Sequence, residues 1–170
     1  TISIATAKIR AGMGHIYVAG GAESMSSIPM TGYKFAPNYN ITSNTPDYVA
    51  GMGHTAEAVA KKWGITREAQ DEFSVRSHQR AAAAIDAGKF EAEILPIDVE
   101  EVYVEDNVKK TRSWTVSVDE GVRRETTMEA LGRLKPAFMN NGTVTAGNSS
   151  QTSDGAAFVL VVSEEMVKKF

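Results

Sequence analysis

Cysteine is absent from the 170 residues. That excludes a disulfide framework and any thiol chemistry carried by these residues themselves. Cations are not in surplus either: 18 lysines and arginines stand against 21 aspartates and glutamates, for a net charge of −3. General nucleic-acid binding, which rests on neutralising phosphates, is therefore not expected. No apolar run approaches the ~20 residues that a membrane-spanning helix requires. There is no internal repeat, no low-complexity tract, no initiating methionine and no signal-peptide pattern after Thr1. The balance of 42% hydrophobic and 23% charged residues excludes disorder, collagen and coiled coil. At this length one domain, or a domain carrying a large insertion, buries enough surface to fold without metal or disulfide.

What is present begins with Ile2, Ala5, Ile9 and Met13 at helical spacing, with Gly12 and Gly14 as the stop. No capping residue with room for a first turn precedes Ile2, and the chain ends shortly after Ser163 opens a helix with Glu164 and Glu165. We read it as an internal piece of a larger protein. His15–Ala19 predicts a buried strand running into a tight turn at Gly20-Gly21, and Ala156–Val162 a strand buried on both faces.

Between these ends, residues 29–47 have loop composition. Val49, Met52, Ala56, Val59 and Trp63 predict one face of a helix closed by Gly64. Thr66 caps a second helix with a buried stripe of Ala69, Phe73, Ser77, Ala81 and Ala84/Ile85, ended by Gly88. The period then changes, and Ile94–Val99, Val102–Val104 and Trp114–Val118 read as short strands, the first at an edge because of Pro96. Thr126 and Glu129 have capping-box spacing for a short helix through Leu131. Asn140-Asn141-Gly142 predicts a turn ahead of a strand-like Thr143-Val144-Thr145. The fold class is α/β, with layered core pieces at both ends and an α+β insertion between them.

Three histidines are the first candidates for chemistry. His54 and Glu57 share a helix face, but H-E-x-x-H and H-x-x-E-H are both missing, so the pair reads as helix-surface polar residues and no metal site is assigned. His78, among Arg76, Gln79 and Arg80, reads as a solvated face, and His15 as a strand-boundary residue. A triad of Ser24, His54 and Asp154 can be written down, but the nucleophile-elbow form G-x-S-x-G is absent. Gly20-Gly21 lacks the lysine and spacing of a phosphate loop, and close backbone packing explains it better. Thr143 to Val162 is the most informative stretch, because its middle is small or polar and lets an extended ligand lie against the backbone.

Several segments together resemble one family. GGAESMS at 20–26, GMGHTAEAVA at 51–60, REAQDEFSVRSHQRAAAA at 67–84, RLKPAF at 133–138 and GTVTAGNSSQTSDGAA at 142–157 are similar to the thiolases, in the thiolase order and along essentially the whole chain. The resemblance implies an acyltransferase that cleaves 3-ketoacyl-CoA with CoA, or runs the reverse Claisen condensation, through a cysteine acyl-enzyme. It implies a layered core in residues 1–29 and 153–170, with an inserted CoA-binding loop domain over 30–152. The nucleophilic cysteine is then expected before Thr1, and the catalytic histidine and second cysteine after Phe170, so this chain alone is expected to be inactive.

On the CoA side the resemblance assigns Ser150 to the pantetheine arm, with Ala146 and Ser149 flanking the channel. Arg123 falls near the nucleotide end, and Met52, Leu131 and Phe138 line the pantetheine and acyl pocket. Ala130 departs from the family pattern, where serine is frequent, with Arg124 nearby as a substitute contact. Glu23–Ser26 would support the nucleophile loop near a dimer contact. CoA is expected as substrate with no covalently held cofactor, in a cytoplasmic homodimer or homotetramer (or an organelle matrix in a eukaryote), without nucleic acid or membrane partners. The motif wording leans toward fatty-acid β-oxidation. The alternatives are a non-catalytic CoA-binding or assembly subunit, and a condensing relative working in synthesis.

Overall fold

A computed structural model describes all residues, Thr1–Phe170. In chain order the elements are α1 (Ile2–Arg10), β1 (Ile16–Glu23), α2 (Tyr39–Asn44), a 3-10 turn (Pro46–Val49), α3 (Met52–Trp63), α4 (Arg67–Asp86), β2 (Ile97–Glu105), β3 (Val108–Val116), α5 (Met128–Gly132), β4 (Gly155–Val162) and α6 (Glu164–Lys169). They divide into two units, Thr1–Thr45 with Gln151–Phe170, and Pro46–Ser150.

In the first unit β1 and β4 pair antiparallel, from Ile16 opposite Val162 to Glu23 opposite Gly155. α1 lies against this pair, and Ala5 and Ala19 are its buried residues. The turn expected at Gly20-Gly21 does not occur, because β1 continues through both glycines to Glu23. The close packing expected there occurs at Gly20, where a Cβ would collide with the Ala157 carbonyl and the Phe158 ring, and not at Gly21, where a Cβ would meet open space. Nor is β4 buried on both faces, since Phe158 and Leu160 are exposed. A two-stranded ribbon under one short helix cannot cover both of its faces.

Ser24, written above into a triad, donates to Asp154 directly at 3.4 Å, and Asp154 also accepts the Ser26 amide (2.8 Å) and hydroxyl (2.6 Å). Those bonds, the Ser26 hydroxyl first, hold the Asp154 carboxyl below its ordinary value. A triad interposes histidine between serine and aspartate, so this carboxylate is a turn anchor.

In the second unit α3 and α4 are joined through Gly64, a left-handed C-cap (φ 65°), and Thr66, whose hydroxyl oxygen accepts from the Ala69 amide. Both signals are local and both work as expected. The expected face of α3 is exposed throughout, and the expected stripe of α4 is inward only at its end, where Ala81, Ala84 and Ile85 are half-buried. Trp63 and Phe73 are exposed, while Gly53, Glu57 and Ala60 of α3, and Gln70, Asp71, Ser74 and Val75 of α4, face inward. Each inward polar group has partners there, which is what permits its burial.

The three expected strands are two. Residues 97–105 run unbroken, and Val108–Val116 returns antiparallel across a two-residue turn at Asp106 and Asn107, both left-handed (φ 55° and 59°). This is the geometry of a type I′ hairpin, which suits the twist of its strands. Residues 108–113 were hidden by Lys109, Lys110 and Arg112, which break any apolar alternation. Arg112 pairs with Glu101 and stacks over Tyr103 and Trp114, 5.6 and 5.4 Å from their ring centres. The cap of α5 is Thr127, accepting from the Ala130 amide, rather than Thr126, whose hydroxyl donates to the Arg123 carbonyl.

Candidate functional site

The strand expected at Thr143–Thr145 is not one, and what replaces it defines the site. Val144 and Thr145 are buried, with Thr145 at 0% exposure, yet they have no ladder partner in a sheet. Their backbone is satisfied by side chains instead. The Glu57 carboxylate, one turn into α3, accepts from the Thr143 amide (2.9 Å), the Val144 amide (2.9 Å) and the Thr143 hydroxyl (3.0 Å). Gln70 of α4 donates to the same hydroxyl, and the Val144 carbonyl accepts from the Ala137 amide.

A second clamp acts five residues on. Asn148 accepts from the Thr145 amide (2.7 Å), and its NH2 donates to the Thr143 carbonyl (3.1 Å) and to Asp71 of α4 (3.0 Å). Asp71, 2% exposed, is in turn held by Arg67, whose guanidinium also donates to the carbonyls of Leu131 and Leu134. Two buried carboxylates from two helices thus suspend residues 143–149 from behind. Glu57 was read as a surface residue and is 4% exposed. Burial pushes its carboxyl up, but the Val144 and Thr143 amides, the Thr143 hydroxyl and the nearby His54 outweigh that and hold it below its ordinary value.

Glycines allow the close approaches. A Cβ on Gly142 would overlap the Glu57 carboxylate, and one on Gly147 would lie 2.5 Å from a Leu131 methyl and 2.6 Å from a Leu134 methyl. A Cβ on Gly53 would enter the Phe138 ring.

Six of the seven residues expected to meet CoA lie on this suspended loop or on the segments that hold it. Ala146 and Ser150 are exposed on it and Ser149 is half-buried, its hydroxyl donating to the Thr145 carbonyl at 2.6 Å. Phe138 packs on the backbone of Gly53, beside the exposed Met52, with its ring 6.3 Å from that of His54, edge to face. Leu131 lies beneath the loop in the core, 6% exposed, against Gly147. Arg123 stands apart. Its amide donates to Nδ1 of His78 (3.2 Å), two turns beyond Asp71 on α4 and so about 10 Å along that helix. His78 is half-buried in this role and is not the solvated residue expected. The neighbouring Arg124 pairs with Asp86 at 2.9 Å.

The arrangement offers a run of small residues with exposed Ala146 and Ser150, and exposed Met52 and Phe138 on the neighbouring segments. No three His, Cys, Asp or Glu residues are placed to hold a metal, and no helix is long and apolar enough to cross a membrane. Glu57, Asp71 and Asn148 carry little signal in the sequence. The available signal was weak: Glu57 shares its helix face with Gly53 and Ala60, and Asp71 follows Arg67 by four residues.

The family profile described as "Thiolase, N-terminal domain" matches residues 1–165. The chain is 51% identical over 166 residues to the 3-ketoacyl-CoA thiolase of Bacillus subtilis (strain 168), covering 97% of this chain and 42% of that protein. It is 43% identical over 157 residues to 3-ketoacyl-CoA thiolase 2, peroxisomal, of Arabidopsis thaliana, covering 92% of this chain and 34% of that one. Its structure is similar to that of human mitochondrial 3-ketoacyl-CoA thiolase in complex with CoA, with a TM-score of 0.70 and 34% identity, over 99% of this chain and 42% of that chain. The chain therefore spans about two-fifths of the length of these relatives.

Proposed function

The chain belongs to the thiolase family through that family's N-terminal domain, with the thiolase α/β fold, and from this premise we propose that the protein containing it is a CoA-dependent acyltransferase acting on 3-ketoacyl-CoA. In the reaction a cysteine thiolate adds to the keto carbonyl of the substrate. The bond between C2 and C3 breaks, C2 takes a proton, and acetyl-CoA leaves. CoA thiolate then takes the acyl group from the cysteine. These 170 residues contain no cysteine, so the nucleophile belongs to residues outside them, and the chain alone does not turn over.

The part of the work assigned to this chain is to receive CoA. The observation that carries this is the suspended loop: Ala146, Ser149 and Ser150 on a run of small residues anchored from behind, with Met52 and Phe138 exposed beside it. The Ser150 hydroxyl bonds the pantetheine arm, Met52 and Phe138 pack on its methylenes, Leu131 backs the pocket from the core, and Arg123 faces the phosphates. The insertion over 30–152 acts as the CoA-binding domain, on a core built from 1–29 and 153–170. The protein works as a homodimer or homotetramer in the cytoplasm or an organelle matrix, in fatty-acid β-oxidation, in keeping with the bacterial and peroxisomal relatives.

The test is titration calorimetry with CoA, and thiolysis of acetoacetyl-CoA, on the full-length protein and its Ser150→Ala variant. Loss of one hydrogen bond should weaken CoA binding by about 0.5–1.5 kcal/mol. Unchanged affinity removes Ser150 from the site. The absence of cysteine here also keeps a second reading in view, a non-catalytic CoA-binding subunit. CoA binding without thiolysis by the full-length protein decides for it.

A further inference from the structure

We infer that Glu57 is a positioning residue for CoA binding: with its carboxylate ionised it takes the place of a neighbouring strand for Thr143 and Val144, and so sets where Ala146, Ser149 and Ser150 stand. This rests on the CoA-binding reading above and adds to it a residue that does not touch the ligand.

Thr143-Val144-Thr145 has strand-like composition, and two of its three residues are buried, so its amides require acceptors. A neighbouring strand would supply them only by running alongside the segment, and it would lie over the small-residue surface that follows. A carboxylate reaching in from α3 supplies the same acceptors from behind and leaves the outer face open. Glu57 does this with both oxygens: one accepts the Thr143 and Val144 amides, each at 2.9 Å, and the other the Thr143 hydroxyl at 3.0 Å. Gln70 donates to that hydroxyl oxygen, so the hydroxyl proton is directed at Glu57. All three groups facing Glu57 are donors. A carboxylate matches that set, whereas an amide side chain must turn its NH2 toward one of them.

Displacement at Thr143 passes directly to the ligand face. Thr143 is bonded through its carbonyl to Asn148, and Thr145 through its amide to Asn148 and through its carbonyl to Ser149. A shift at residues 143–144 therefore moves Ser149 and its neighbour Ser150 through short hydrogen-bonded links. The absence of space for a Cβ at Gly142 and Gly147 leaves the loop little room to accommodate that shift in place.

The experiment uses the full-length protein and compares wild type, Glu57→Gln and Thr143→Val. The dissociation constant for CoA is measured by calorimetry, KM for CoA and kcat by thiolysis of acetoacetyl-CoA, and Tm by thermal scan. For Glu57→Gln the expected result is a CoA dissociation constant and KM raised about 5- to 10-fold, the equivalent of one ordinary hydrogen bond, with kcat at saturating CoA within about twofold of wild type. Thr143→Val, which keeps both amide bonds and the side-chain shape, should raise both constants about threefold. A folded Glu57→Gln protein that binds CoA as wild type does overturns the inference, as does a lowered Tm with unchanged KM, the mark of a merely structural role. If Glu57→Gln does not fold, Thr143→Val decides by the same criteria. Wild-type protein that fails to bind CoA defeats the functional reading itself, and that arm separates the two failures.

Discussion

Removing the Glu57 side chain tests whether a carboxylate, rather than packing, holds the Thr143–Val144 segment. Glu57→Ala leaves three donors without their acceptor: two backbone amides and the Thr143 hydroxyl. A buried donor left unsatisfied costs roughly 1–3 kcal/mol. The hydroxyl can rotate toward another acceptor, and the space vacated by the carboxylate admits a water that recovers part of one amide bond. Release of the carboxylate from its buried position offsets a further part. The net expectation is a segment destabilised by about 2–4 kcal/mol. At 1.4 kcal/mol per factor of ten, local opening becomes about 30- to 700-fold more frequent. Hydrogen exchange followed by mass spectrometry on the full-length protein reads this directly in peptides spanning 143–150, against peptides of β2 and β3 as controls.

The same assay has a pH arm with a definite sign. The folded-state carboxyl of Glu57 lies below its ordinary value near 4.5, so its stabilisation is fully present above that pH and is lost as pH falls through the lower folded value. After correction for intrinsic exchange, wild-type protection at 143–150 should hold from neutral pH to about 5 and decline below 4.5, while the alanine variant shows no such step. Acceleration of less than about threefold, or equal acceleration in the hairpin, refutes the reasoning.

Gly53→Ala places a methyl in the Phe138 ring, which is 40% exposed and free to swing outward. The fold should lose about 1 kcal/mol in a thermal scan, and CoA affinity should fall as the ring leaves its place beside Met52. Asn107 holds a left-handed conformation in the β2–β3 turn (φ 59°), so Asn107→Ala should destabilise the hairpin by about 1 kcal/mol, read as faster exchange over 97–116. Asn107→Gly, which carries no Cβ penalty, should leave exchange there unchanged or slower.

How much of this was legible in advance depended on how local each cause is. The ends of α3 and α4 were readable because Gly64 and Thr66 act on their own turns. The hairpin was half readable. Ile97, Val99 and the valines that follow mark β2, but Val108–Ser113 is a strand only because of what lies opposite, Arg112 meeting Glu101 and Lys110 meeting Tyr103. The expected face of α3 is its outer one, and that of α4 is inward only in its last turns, at Ala81, Ala84 and Ile85. Periodicity identifies which residues share a face, but not which face meets a neighbour. Trp63 and Phe73 attract the eye, yet the inward faces are built from Glu57, Gln70 and Asp71, whose burial is possible only with partners some seventy to ninety residues away in sequence.

The site follows the same division. The small-residue run Ala146-Gly147-Asn148-Ser149-Ser150 is plain in the sequence, and in the structure Ala146 and Ser150 stand exposed on it. The scaffold is not plain in the sequence, and the misreading of Thr143–Thr145 as a strand shows why. Alternation and β-branching say that a segment is extended and partly buried, and both hold here. They do not say who accepts its amide hydrogens. In most proteins the answer is another strand, and a reader of sequence supplies one by default. Here the acceptor is a side chain, and that substitution is what keeps a buried, extended segment compatible with an open face one residue later. A sheet partner extended past Thr145 would satisfy the backbone and close the site. A carboxylate entering from behind satisfies the same amides and ends there.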